Sequence, residues 1–236
     1  MEQTLSNKFD LSANFLKYLA ILAMFLDHFA SVFINSDQPL WLVLRVIGRL
    51  CAPIMCYFVA EGEYFTSNRK RYLRRLFIFA LLAHFPYVIY FNLPLFSATS
   101  VLWGLMNGLL ALIFVKHSPA NNYLKIAFVA FCCLVVMNAD WNFVTVLWIL
   151  GFGLFRGSFK KQMFSFLIIG VVFHLLPLLR DYGTADLYQL GIVLAIPVLA
   201  LYHGRKGHSS EFMKWGFYLF YPGHLVLLEL LKIILR

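Results

Sequence analysis

Apolar runs of roughly twenty residues, each closed by a short polar break, follow one another from Phe15 to Leu235. Hydrocarbon offers no partner for backbone N–H and C=O groups, so such runs cross a membrane as helices. They are Phe15 to Ile34, Leu40 to Phe65, Leu76 to Phe91, Phe96 to Val115, Tyr123 to Met137, Trp141 to Phe155, Met163 to Leu179, Leu187 to Tyr202 and Phe212 to Leu235. The expectation is an all-α polytopic bundle of about nine spanning helices, with residues 1–236 as a single integral membrane domain. The fifth and sixth runs are short, and a re-entrant hairpin in their place would leave both chain ends on the same sides. Composition agrees: 61% of residues are hydrophobic and 13% charged, against roughly 25% charged in soluble domains. The first run is full length and no small-residue cleavage site follows it, so it reads as a retained helix and not a signal peptide.

The formal net charge of +9 would suggest nucleic acid in a soluble protein. Here the cations sit between the apolar runs, which points to topology and excludes nucleic acid as a partner. The breaks after the second, fourth, sixth and eighth runs hold thirteen Lys and Arg, from Arg69 to Lys214. Those after the first, third, fifth and seventh hold Arg180 alone. With Lys8 and Lys17 beside the first run, the positive-inside rule puts the N-terminus inside and the C-terminus outside, although Lys232 and Arg236 then lie on the outer side. The four cysteines all lie within apolar runs without zinc-site spacing, and no metal site is expected. His117, His203 and His208 fall in the polar breaks and read as solvated.

The informative residues are the ionisable ones inside the runs, each costing a few kcal/mol unless paired or hydrated. At about 1.5 Å per residue, Asp27 and His28 lie two thirds of the way along the first run. Arg45 and Arg49, four residues apart and so on one helix face, reach a similar depth from the other side. His84 and His224 fall near mid-membrane, with His174 and Glu229 in the outer half. Five helices thus bring polar groups to one level, which a hydrated chamber would explain. Asp27 and His28 are about 100° apart on their helix, so each should face a different neighbour. The simplest partner for Asp27 is Arg45 or Arg49, either as a helix-tying ion pair or as part of a site. His28 suits proton transfer near neutral pH. Glu61 and Glu63 stand before the basic stretch Arg69 to Arg75, which reads as interfacial anchoring or as a dock for an anionic cytoplasmic donor. Asn138 and Asp140 read as caps of the outer turn between the fifth and sixth runs.

Three stretches carry a resemblance. Leu19 to Ser31, with Asp27-His28, looks like the Asp-His signature of the TraX family's first helix. Arg45, Gly48-Arg49, Pro53 and Glu61-Gly62, followed by Asn68 to Tyr72, resemble that family's second motif. Tyr221-Pro222-Gly223-His224-Leu225 resembles its terminal Tyr-Pro-x-His-Leu motif. His84-Phe85-Pro86-Tyr87 and Asn107 fit further family positions, whereas Asn121 to Asp186 carries no specific match, and Asp140 lacks the glycine expected soon after it.

The resemblance implies an integral membrane acetyltransferase of the bacterial inner membrane. Acetyl-CoA would be the cytoplasmic donor, and the acceptor a pilin N-terminal amine or another envelope component. On the matching positions it implies His28, Asp27 and His224 as catalytic, and Arg45, Arg49, Glu61, His84, Asn107 and Tyr221 as substrate-binding. Arg69, Arg71, Arg74 and Arg75 would meet the coenzyme phosphates. Two rival classes remain: a proton-coupled transporter, which also uses buried Asp, His and Arg, and a non-catalytic pilus or envelope assembly factor.

Overall fold

The computed structural model describes residues 10–207 and 210–235, with backbone alone at 182–185 and 211–214. Lys8, His208 and Arg236, and the side chain of Lys214, therefore lie outside the described residues. Everything regular among them is helical: α1 (Ala13–Phe33), α2 (Pro39–Gly48), α3 (Cys51–Phe65), α4 (Arg69–Tyr90), α5 (Val101–His117), α6 (Asn122–Val135), α7 (Val144–Leu154) and α8 (Phe159–Gly170). A π-turn (Val171–Leu175), α9 (Leu176–Tyr182), a 3₁₀ segment (Gly183–Leu194), α10 (Ala195–Ala200) and α11 (Glu211–Ile234) complete the chain. Among the described residues five helical stretches are long and apolar enough to cross a membrane: Ala13–Phe33, Pro39–Phe65, Arg69–Tyr90, Phe159–Asp181 and Trp215–Ile234. The other four apolar helices are shorter. At 14 and 11 residues, α6 and α7 reach only about 21 and 16 Å. From Val144 to Gly153 every residue of α7 except Leu147 is buried, with α5 and α3 as its main neighbours. It is the bundle's inner helix.

The second run is broken where it was expected to be continuous. Pro53 has no N–H to give to the carbonyl of Arg49, so the α-ladder stops there. The backbone tightens instead, with Leu50 N–H donating to Ile47 O at 3.1 Å. This break turns Arg49 inward between α2 and α3. The basic stretch before the third run is not a loop: α4 starts at Arg69, because the Asn68 side chain caps it by accepting from Arg71 N–H at 2.8 Å and Arg and Lys are good helix formers. The fourth run starts its helix at Val101 instead of Phe96.

One end of the bundle collects the N-terminus of α1, the α3–α4 turn and the loop after α10, where Ala13 N–H donates to Arg205 O at 2.8 Å. Most of the loop cations lie there, and it is called the basic end below. Fully buried Glu63 ties that end together: Arg69 Nε at 2.8 Å, Lys116 Nζ at 2.5 Å and His117 Nε2 at 2.7 Å join α3, α4 and α5 through one carboxylate.

Candidate functional site

The face of α1 that carries Asn14, Lys17, Ile21, Met24 and His28 follows a helical period of three and four residues. All five line one cavity of about 640 Å³, which opens at the basic end and runs down between α1, α3, α4 and α11. Lys17 and His28 are eleven residues apart on α1, so the cavity extends about 16 Å along the helix. Its mouth holds Lys17, Arg75 and Lys206 with Thr66, Ser67 and Tyr72. Ring faces hold two of these cations in place. Lys17 Nζ lies 5.3 Å from the Phe58 ring centre, and the Arg75 guanidinium 5.7 Å from Tyr72 and 5.9 Å from Tyr218.

The floor of the cavity is polar: Asp27, His28, Arg49, Asp140 and Tyr221 line it. Asp27 takes both arginines. Arg45 Nη1 donates to Oδ1 at 2.8 Å, and Arg49 Nη2 donates to Oδ2. Gly48 permits this approach, since a Cβ there would overlap the Asp27 side chain. Each guanidinium is then fixed from the far side. Arg45 donates to Tyr188 Oη at 3.0 Å and Arg49 to Gln189 Oε1 at 3.1 Å. Arg45 also stacks on Tyr188 at 4.7 Å, and Arg49 on Trp141 at 5.1 Å. Arg45, Tyr188 and Gln189 do not line the cavity, so this layer closes it away from the mouth. Arg49 Nε is buried without a hydrogen-bond partner among the described residues.

His28 turns from Asp27 to α11. Its Nδ1 lies 2.8 Å from His224 Nε2 with the two rings nearly parallel, and His224 Nδ1 lies 2.9 Å from Phe220 O. The backbone carbonyl of His28 accepts from Tyr90 Oη at 2.7 Å and Ser31 Oγ at 2.8 Å, which holds this turn of α1. Asp140 enters from the α6–α7 loop. There Trp141 and Asn142 adopt left-handed φ of 62° and 37°, a strained pair for side chains other than glycine. Asp140 N–H donates to Thr99 O at 2.8 Å. Burial pushes the Asp140 carboxyl up to about 6, with the Arg49 charge acting against that rise.

Of the residues singled out in the sequence, the structure brings together Asp27, His28, Arg45, Arg49, Asp140, Tyr221 and His224 around the cavity floor, and Arg75 at its mouth. Asp140 lines the floor where a helix cap was expected, and His174 lies just behind it, stacked on Trp141 at 4.7 Å and 3.3 Å from Gln189 Oε1. The others lie elsewhere. Glu61 pairs with Arg156 Nε at 2.8 Å. Half-buried His84 meets Leu95 O through Nε2 at 2.7 Å. Asn107 donates back to Trp103 O on its own helix at 3.0 Å. Arg69 is taken by Glu63, while Arg71 and Arg74 face outward. Glu229 pairs with Lys232 at 2.9 Å. The reading by depth put His84 and Glu229 at the chamber's level, but depth carries no information about which way a helix face turns.

Lys17, Lys206, Trp141, Tyr188 and Gln189 had no place in the sequence-derived site. The helical period of the α1 stripe could have flagged Lys17. The 3₁₀ segment bearing Tyr188 and Gln189 carries no comparable pattern.

Comparison with known proteins bears on this arrangement. The sequence profile of the TraX protein family matches residues 12–232. The chain belongs to the TraX family. A curated relative from Dichelobacter nodosus, the probable fimbrial assembly protein FimC of serogroup H1, is 32% identical over 250 aligned positions, covering 98% of this chain and all of the relative. No solved structure matches this TraX chain. The family match spans both walls of the cavity, from the start of α1 to the last turns of α11.

Proposed function

We propose that this TraX-family protein is an integral membrane acetyltransferase that moves an acetyl group from cytoplasmic acetyl-CoA to an envelope acceptor. A pilin N-terminal amine is the first candidate acceptor. The observation that carries the reading is a single cavity joining a cationic, aromatic mouth to a floor that holds an imidazole and a buried guanidinium. In it, Lys17, Arg75 and Lys206 receive the phosphates of the donor in place of the wider Arg69 to Arg75 cluster, and the thioester arm extends about 16 Å to His28.

His28 Nε2 takes the proton of the acceptor N–H or O–H as that atom attacks the thioester carbonyl. The oxyanion of the tetrahedral intermediate is met by Arg49, whose Nε–H has no other partner among the described residues. The C–S bond then breaks, and the proton held on His28 passes to the leaving thiolate. Asp27 aligns the two guanidinium groups.

The orientation proposed with this mechanism puts the basic end in the cytoplasm of a bacterial inner membrane and the end of α11 outside. The name of the Dichelobacter relative supports an acceptor connected with fimbriae.

Purified protein in detergent is the test material. With radiolabelled acetyl-CoA and envelope membranes as acceptor source, His28→Ala should remain folded and lose transfer by about 10²–10⁴-fold. Full transfer by His28→Ala would refute the base. An assembly factor without catalysis instead predicts normal fimbriation by that variant and no mass difference of one acetyl group on any envelope component.

A further inference from the structure

The hydrogen-bond chain through His224 contains more than proximity. Phe220 O is a carbonyl and can only accept, so His224 Nδ1 carries a hydrogen and donates it at 2.9 Å. A neutral His224 then presents a bare lone pair at Nε2. The contact of 2.8 Å with His28 Nδ1 therefore requires the hydrogen of His28 to sit on Nδ1. His224 Nε2 spends its lone pair on that contact, so the one ring lone pair left uncommitted is that of His28 Nε2, on the imidazole that lines the cavity.

We propose that His224 is a positioning residue that fixes His28 in its Nδ1–H tautomer and keeps the Nε2 lone pair turned to the cavity. The proposal rests on the reading of His28 as the base, and it removes His224 as a rival base or acyl relay. His224 does not line the cavity, and both its ring nitrogens are already committed.

The ring stacks of the site serve the same end. Phe220 lies parallel to His224 at 5.1 Å, and Phe91 meets the His28 ring edge-on at 5.4 Å, so both imidazole planes are held while the hydrogen bonds decide which nitrogen faces which way. Asp27, the usual kind of orienting carboxylate, is not available for this task because two arginines occupy it. A second histidine on α11 takes over, and the chain ends in a carbonyl in place of a carboxylate. A protonated His224 would donate from Nε2 and force the hydrogen of His28 onto the catalytic nitrogen. The charged and titratable groups around the pair are Asp27, Arg45 and Arg49, with Tyr90 from α4 and Tyr221 from α11.

Substitutions that separate accepting from donating test this. His224→Glu presents an acceptor, whereas His224→Arg presents donors only. With radiolabelled acetyl-CoA and envelope membranes, His224→Glu should stay within about tenfold of the native rate. Its acid limb should move to higher pH, because a carboxylate beside His28 favours the imidazolium. His224→Arg should lose about 10³–10⁴-fold, the scale of a wrong tautomer at a histidine base. Equal losses in both variants would overturn the proposal.

A second measurement needs no activity. In ¹⁵N-histidine-labelled protein in detergent micelles, His28 Nδ1 should show the shift of a protonated ring nitrogen and Nε2 that of a bare one. A hydrogen found on His28 Nε2 sinks the tautomer assignment. The expected shifts together with full transfer by His28→Ala would instead sink the reading of His28 as base and leave the assignment standing.

Discussion

Asp140 reaches the cavity floor from a strained loop, and its carboxyl titrates near 6 because burial disfavours the charge. The native chain therefore keeps a proton that the unfolded chain has lost from about pH 4 upward. Stability must fall as pH rises through that window. Asp140→Asn should melt higher than the native protein near neutral pH and no higher at about pH 4, as read by tryptophan fluorescence in detergent. Gly48 sets a second residue-scale test. A methyl group there meets the Asp27 side chain, and overpacking of this kind costs about 1–3 kcal/mol. Gly48→Ala should lower the melting temperature and reduce transfer together, since Asp27 cannot move without releasing Arg45 and Arg49. An unchanged melt would show that the approach of α1 to α2 is looser than described. At this scale the ion pair was legible in the sequence, because a buried Asp beside two Arg on one helix face leaves few other arrangements. The link from His28 to His224 was not, because 196 residues separate them and neither side chain announces its partner.

Pro53 does at the level of a helix what Gly48 does at a contact. By ending the ladder at Arg49 it makes two helices of one run and aims Arg49 at the floor. Pro53→Ala should let the helix close, leaving the melting temperature equal or higher while transfer falls. Loss of both would mean that the break is needed for packing. At the other end of α3, Glu63 accepts from two cations, Arg69 and Lys116, and from the His117 imidazole, on two neighbouring helices. Glu63→Gln keeps the shape and removes the charge that holds them. The expected cost is about 3 kcal/mol, measured as a drop in melting temperature with helix content preserved. The basic stretch shows why element boundaries escaped the sequence reading. Hydropathy separates apolar from polar residues, and a polar first turn of a helix looks like a loop until its cap is seen.

For the whole molecule the orientation is the open quantity that an experiment decides directly. Tyr123 is 86% exposed beside the basic end and Phe96 88% exposed at the opposite one. A cysteine at Tyr123 should react with a membrane-impermeant maleimide only in inverted vesicles, and one at Phe96 only in spheroplasts; the reverse pattern would turn the proposed donor path around. The apolar runs dictated a helical bundle and its approximate segments, because backbone groups in hydrocarbon have nowhere else to bond. Buried charge likewise announced that a polar site exists, since its cost must be offset somewhere. Which of those charges share a chamber was settled by the rotation and crossing of helices. That rotation turned His84 and Asn107 away, spent Glu61 on Arg156, brought Lys17 and Trp141 in, and set Gln189 behind Arg49. Helix rotation depends on how side chains from distant segments interlock, and no local pattern along one segment records its neighbour.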